Sequence, residues 1–252
     1  LLNSISATQT YLNESAQWEG NLTRILFSAL AWGDLNHDGY IDLVSIGTAT
    51  FNKIAQIYIN NGTTFNENQT WQQNLTKVDI GSLAIGDLDN DGDLDLILNG
   101  CSSGASFTTS CDGEAIQTKV YINNGTSFTE SNQWENNLTV TYRGALSLGD
   151  IDNDGDLDLV TTGEIITGSP SSKIYLNNGT NLVESQQWEQ NLTAIRKSSQ
   201  VLGDYDNDGD LDLIISGRDS SSNKLTKTYI NNGTSFVESS QWQQNLVNAE
   251  DS

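Results

Sequence analysis

GDLDNDGDLDLI, Gly86 to Ile97, is the stretch that decides how this chain folds. Asp87, Asp89, Asp91, Asp93 and Asp95 occupy every second position, so a loop that curls turns alternate carboxylates toward one point. Gly92 sits sixth, where a sharp bend needs a residue free of side-chain strain. Calcium is a hard cation that takes about six to eight oxygens, and positions 1, 3, 5 and 9 can give carboxylates while position 7 gives its main-chain carbonyl. The apolar run that follows, Leu96-Ile97-Leu98, reads as a buried strand.

The same phrase recurs as GDLNHDGYIDLV from Gly33, GDIDNDGDLDLV from Gly149 and GDYDNDGDLDLI from Gly203. The matching ligands are Asp34, Asn36, Asp38, Tyr40 (by its carbonyl) and Asp42 in the first copy. They are Asp150, Asp152, Asp154, Asp156 and Asp158 in the third copy, and Asp204, Asp206, Asp208, Asp210 and Asp212 in the fourth. The alternative for a lone loop of this kind is a solvated acidic turn. Four copies in one register, holding 18 of the 33 acidic residues, instead predict about four bound Ca²⁺, because so many neighbouring carboxylates repel one another without a cation. Magnesium is disfavoured, since it keeps its waters and takes fewer protein ligands.

A second marker, the Trp of a QW phrase (TW at Trp71) followed by NL, recurs at Trp18, Trp71, Trp134, Trp188 and Trp242 and keeps step with the acidic loops. Tandem repetition at this period is the mark of repeat architectures. The copies divide the chain into a half-repeat at 1–26 and blades at 27–79, 80–142, 143–196 and 197–252. The second is longer by an insertion holding Cys101 and Cys111, which read as a local disulfide or as two free thiols.

Each repeat reads as four short strands. In the second copy they are Ser82 to Gly86, the run after the acidic loop, Lys119 to Asn123, and a last strand around Phe128. Asn124-Gly125 before that last strand predicts a tight type I′ hairpin, as do Asn61-Gly62, Asn178-Gly179 and Asn232-Gly233. No window shows a helical period. Four antiparallel strands per repeat predict an all-β fold, a β-propeller of about four blades plus the N-terminal half-repeat, with tandem sandwiches as the alternative. The half-repeat, Thr10 to Leu22, is expected to pair with a blade edge, in this copy or a neighbouring one.

The acidic loop, the apolar strand after it and the strand leading to Asn-Asn-Gly together resemble the FG-GAP and VCBS repeats of integrin-α-like β-propellers, over about residues 27 to 248. The chain lacks Phe-Gly before the loop and Gly-Ala-Pro after it, so it is nearer the VCBS type. The resemblance implies a calcium loop between the first two strands of each blade, and an extracellular adhesion, recognition or scaffold module.

Composition narrows the function further. A formal charge of -22 excludes a nucleic-acid surface, which needs clustered Lys and Arg. No apolar run is long enough to insert in a membrane, and a chain that starts at Leu1 without any Met reads as a mature or excised product. Catalytic groups are scarce: His37 is the sole histidine, at loop position 4, and most clustered carboxylates belong to the calcium loops, so no enzyme is expected.

The repeated Trp residues read as packing between blades, with stacking on sugars as the alternative. Trp32 aligns with Ile85, Leu148 and Leu202 and is expected in the core, while Tyr58, Tyr121, Tyr175 and Tyr229 hold one strand register. Sequons for N-glycosylation stand at Asn13, Asn21, Asn61, Asn68, Asn74, Asn124, Asn137, Asn178, Asn191 and Asn232. The expectation is an extracellular or cell-surface structural or adhesive module whose partner is a protein or another copy joined through blade edges. A lectin-like propeller that binds glycans is the alternative.

Overall fold

The computed structural model describes residues 16–102, 111 and 115–243. Among these, sixteen strands form four sheets, each a four-stranded antiparallel meander in chain order. The first sheet holds β1 (Leu26–Gly33), β2 (Asp42–Ala49), β3 (Asn52–Asn60) and β4 (Phe65–Glu67). The second holds β5 (Leu83–Gly86), β6 (Asp95–Cys101), β7 (Ile116–Asn123) and β8 (Phe128–Glu130). In the third are β9 (Tyr142–Gly149), β10 (Asp158–Glu164), β11 (Pro170–Asn177) and β12 (Leu182–Glu184). The fourth comprises β13 (Arg196–Gly203), β14 (Asp212–Arg218), β15 (Lys224–Asn231) and β16 (Phe236–Glu238).

The second strand of each sheet is flanked by two others, and its residues are almost wholly buried in the first three sheets. The three largest clusters form between successive sheets, and a smaller one, Leu43, Tyr58 and Phe65, lies within the first sheet against Trp18 and Leu22. Val44, Ile46 and Ile57 of the first sheet pack with Leu83, Leu96 and Tyr121 of the second, and the second meets the third, and the third the fourth, in the same way. The first strands of the sheets, β1, β5, β9 and β13, are neighbours in that order. Backbone bonds tie their starts together, Ile80 N–H to Phe27 O at 3.1 Å and Arg143 N–H to Ile80 O at 2.9 Å.

A single helical turn carries each repeated Trp: α1 (Ala16–Glu19), and, after each fourth strand, α2 (Gln69–Gln72), α3 (Asn132–Glu135), α4 (Gln186–Glu189) and α5 (Ser240–Gln243). At four residues these are too short to show a period in sequence. The turns α2 and α4 reach the next blade, whereas Trp242 of α5 stands edge-on to Tyr205 of its own blade at 5.1 Å. Trp71 stands edge-on to Phe128 with centroids 5.5 Å apart, and Trp188 to Phe236 at 5.4 Å. The Tyr121 hydroxyl accepts Thr76 N–H at 2.8 Å, and Tyr175 and Tyr229 accept Thr139 and Thr193 N–H likewise.

The N-terminal half-repeat follows this rule within its own chain. Trp18 packs edge-on to Phe65 at 5.4 Å, and Thr23 N–H reaches Tyr58 Oη at 3.0 Å. The strand expected before α1, and with it Asn13, lies outside the described residues.

Two expectations need correction. Trp32 is not core: it is 57% exposed, because no preceding sheet covers the outer face of the first one among the described residues. The Asn-Gly hairpins are not two-residue type I′ turns. Phe65 pairs with Asn60 across a four-residue loop, and only Gly62 has positive φ, +81°. Asn61 has no need of a left-handed backbone, since its Oδ1 accepts the N–H groups of Thr63 and Thr64, both at 3.0 Å. Cys101 and Cys111 are disulfide-bonded, with Cα atoms 5.7 Å apart.

Candidate metal centres

Each acidic loop is the connection between the first and second strands of its sheet. Register fixes its ends: Gly86 pairs with Asp95, and Gly33 with Asp42, Gly149 with Asp158 and Gly203 with Asp212. Two left-handed residues shape the interior. Position 4 has φ of 57° to 63° at His37, Asn90, Asn153 and Asn207, and the position 6 glycines lie between 87° and 101°. Asparagine tolerates the first conformation and only glycine the second without strain.

Position 9 begins the second strand and points back under the loop. Asp95 is fully buried, with Oδ2 accepting Leu88 N–H at 2.8 Å and Oδ1 accepting Asn123 N–H at 2.8 Å. Asp42, Asp158 and Asp212 repeat both bonds. At position 1, Asp87 accepts the N–H groups of Asp91 and Gly92 at 3.1 and 3.0 Å, which curls the loop over position 9.

In three loops the carboxylate oxygens of positions 1, 3 and 9 all come within 4.8 Å of one another: Asp87, Asp89 and Asp95; Asp150, Asp152 and Asp158; Asp204, Asp206 and Asp212. In the first loop Asn36 stands at position 3, so a third carboxylate is missing there, and the Asn36 amide donates to Asp38 Oδ2 at 3.1 Å. Position 5 adjoins the cluster, with Asp91 N–H donating to Asp89 Oδ1 at 3.3 Å. Asp91, Asp154 and Asp208 accept the N–H of position 7 through Oδ1 at 2.9 to 3.0 Å, and Asp38 accepts that of Tyr40 at 2.9 Å.

The donor set fits a hard divalent cation. Asp152 Oδ1 is buried without any hydrogen-bond donor, and a carboxylate oxygen left so is costly unless a cation satisfies it. Burial, with neighbouring carboxylates adding to it, pushes Asp95 and Asp158 up to about 7 and raises Asp42, Asp89 and Asp152 above the usual carboxylate range. All available ligands are oxygens, which is the chemistry calcium selects.

Position 7, whose main-chain carbonyl the sequence assigns to the ion, also uses its side chain: Asp93 Oδ1 lies 2.9 Å from His37 Nε2 of the preceding loop. Asp156 and Asp210 likewise accept Asn90 and Asn153 Nδ2, at 2.6 and 2.7 Å. Position 4 of each loop thus holds position 7 of the next. In the first loop Tyr40 takes this place and lies exposed against Gly62.

Sequence reasoning missed the asparagine that ends each third strand. Asn123 Nδ2 donates to Leu35 O of the preceding loop at 3.0 Å, Asn177 to Leu88 O at 2.8 Å and Asn231 to Ile151 O at 2.8 Å. The signal was present as the first Asn of every Asn-Asn-Gly.

The sequons split into two environments. Asn61, Asn124, Asn178 and Asn232 are exposed turn residues that accept bonds through Oδ1. By contrast Asn21, Asn74 and Asn191 donate Nδ2, the atom a glycan would occupy, to the carbonyls of Phe65, Phe128 and Phe236 at 2.9 to 3.3 Å. Asn137 holds the same repeat position, and Asn68 caps α2 through Oδ1.

No curated protein matches the chain. The family model of the FG-GAP-like repeat matches residues 34–98 and 107–161, segments that hold the first three acidic loops. Matched repeats and oxygen-lined loops between first and second strands agree, and the chain belongs to the FG-GAP/VCBS-type repeat family.

Proposed function

We propose that this chain is a calcium-binding β-propeller module that acts outside the cytoplasm in a structural or adhesive role and carries out no catalysis. The observation that carries the reading is the convergence of positions 1, 3 and 9 in three loops, with an unsatisfied buried oxygen at Asp152. A cation held there would fasten the first two strands of a blade to each other. Through Asp95 and its equivalents it would also brace the end of the third strand.

The disulfide supports an oxidising compartment, and open oxygen sites of this kind suit the calcium concentrations found outside cells. Among the described residues no helix is long and apolar enough to cross a membrane. The sole histidine is engaged with Asp93, which supports a non-enzymatic role. Trp71, Trp134 and Trp188 are buried between blades, so their rings are not offered to sugars, and the structural reading is preferred over the lectin one.

Thermal unfolding in calcium, in magnesium and in chelator tests the proposal. Three sites filled to about 100 Kd would each add about 2.7 kcal/mol, so calcium should raise the midpoint by at least about 10 °C, and magnesium by much less. Equal midpoints in all three conditions would refute it.

A further inference from the structure

The buried carboxylates at position 9 of the acidic loops lie on one chain of hydrogen bonds that runs from blade to blade. Asp95 Oδ2 accepts Leu88 N–H at 2.8 Å, and the carbonyl of the same Leu88 accepts Asn177 Nδ2 of the next blade at 2.8 Å. Asn177 N–H in turn donates to Oδ1 of Asp158, the position 9 residue of that next blade, at 2.8 Å. The same three bonds lead from Asp158 through Ile151 and Asn231 to Asp212, and from Asp42 through Leu35 and Asn123 to Asp95, all at 2.8 to 3.0 Å. Every residue on the chain is buried, so water neither screens these bonds nor offers a substitute for them.

A second link runs beside it at the surface. Asn90 Nδ2 reaches Asp156 Oδ1, Asn153 Nδ2 reaches Asp210 Oδ1, and His37 Nε2 lies against Asp93 Oδ1, so position 4 of one loop holds position 7 of the next. Position 7 is also the residue whose main-chain carbonyl the loop pattern assigns to the ion. Both links therefore end on residues that build the neighbouring metal site.

We infer that the strand-end asparagines and the position 4 residues are positioning residues for the metal site of the adjacent blade, so that calcium fills the loops cooperatively. When Asp95 is held by an ion, the Leu88 peptide is fixed, and with it Asn177, whose N–H supports Asp158. The next site is then partly ordered before its own ion arrives, and a ligand that meets an already ordered site gives up less conformational entropy. A filled neighbour should tighten a site by about fivefold or more. Electrostatics alone works in the opposite sense. Each Ca²⁺ cancels negative charge that attracts the next, so unlinked sites on a chain of formal charge -22 would fill with a Hill coefficient of about one or below. The inference rests on the calcium reading above, and the test separates the two.

Calcium titration of the chelator-treated chain, read for the number of ions bound and the Hill coefficient, tests it. Wild type should fill with a coefficient clearly above one, and Asn177→Ala, which cuts the buried chain, should bind as many ions with a lower coefficient. Asn177 Oδ1 also accepts Gly179 N–H at 2.9 Å, so this variant should melt lower in chelator as well. Asn90→Gly isolates the coupling: the position is exposed and left-handed, so glycine keeps the turn and the chelated midpoint while removing the link to Asp156. It should lower the coefficient, and Asn90→His should restore it, because His37 makes the same link to Asp93. Saturable binding with a wild-type coefficient of about one or below, or an Asn90→Gly chain that fills as steeply as wild type, would overturn the inference and leave the calcium reading standing. A chain that binds no calcium would remove both.

Discussion

The first acidic loop and the other three share a backbone but not a cluster. Asp34 and Asp42 make the same bonds as Asp87 and Asp95, and Gly39 and His37 hold the same left-handed turns as Gly92 and Asn90. The three-carboxylate group nevertheless appears only where position 3 is aspartate. The comparison separates two jobs that the repeated phrase combines: positions 1, 6 and 9 build the loop in every blade, and position 3 decides whether it gathers a third carboxylate.

The largest effect should come from position 9, which serves both jobs. Asp95→Ala removes a buried acceptor of two backbone N–H groups and should lower stability by about 3 kcal/mol or more even in chelator, since each hydrogen bond to a charged group contributes about 1.5–3 kcal/mol. Asp42→Ala should cost a similar amount in chelator but forfeit less of the gain from calcium. Urea unfolding with and without calcium reads both, and a large calcium-dependent loss for Asp42→Ala equal to that for Asp95→Ala would erase the distinction.

Position 3 should show the metal job alone. Asp89→Ala should leave the chelated protein within about 1 kcal/mol of wild type, because no backbone of another element depends on its side chain, yet remove about 2.7 kcal/mol of calcium stabilisation at 100 Kd. Melting curves at fixed calcium would show this as a midpoint about 5–10 °C lower.

Acidity should act in a defined sense. Burial raises the folded-state values of Asp95 and Asp158 to about 7 from an ordinary 3.8, so between those values the folded, metal-free chain holds more protons than the unfolded one. Their contribution to metal-free stability is therefore present at about pH 4 and falls as pH rises to about 7. Calcium must displace those protons, so its affinity should climb over the same range and its binding should release protons near pH 6, measurable by titration in buffers of different ionisation enthalpy.

The smallest effect concerns the links between loops. His37→Asn puts in the first loop the residue that serves in the next two, and should change stability by less than about 0.5 kcal/mol. Asp93→Ala, which unmakes the same link, should cost more than His37→Asn when both are compared by urea unfolding in calcium.

Most of the fold was legible because its signals repeat. The acidic phrase, the β-branched third strand and Asn-Asn-Gly each recur in register, so four meanders followed from them. What was not legible depends on neighbours in space. Trp32 carries the same apolar signal as Ile85, and only the absence of a sheet against it makes it exposed. The type I′ expectation failed because a side chain, Asn61 Oδ1, took over the role that positive φ would have played. The side-chain link of Asp93 was not legible, since its partner, His37, lies a whole blade earlier in the chain. The Asn-Leu-Thr sequons likewise read as glycan acceptors until the next blade claimed the Asn21, Asn74 and Asn191 amides.

Calorimetric titration of calcium into the chelator-treated wild type and Asn36→Asp tests the central claim most directly. The account predicts three tight sites and a weaker fourth in the wild type, and in Asn36→Asp a fourth site strengthened by roughly tenfold, as an added charged ligand should do. Absence of saturable calcium binding in the wild type, or a titration left unchanged by Asn36→Asp, would contradict it.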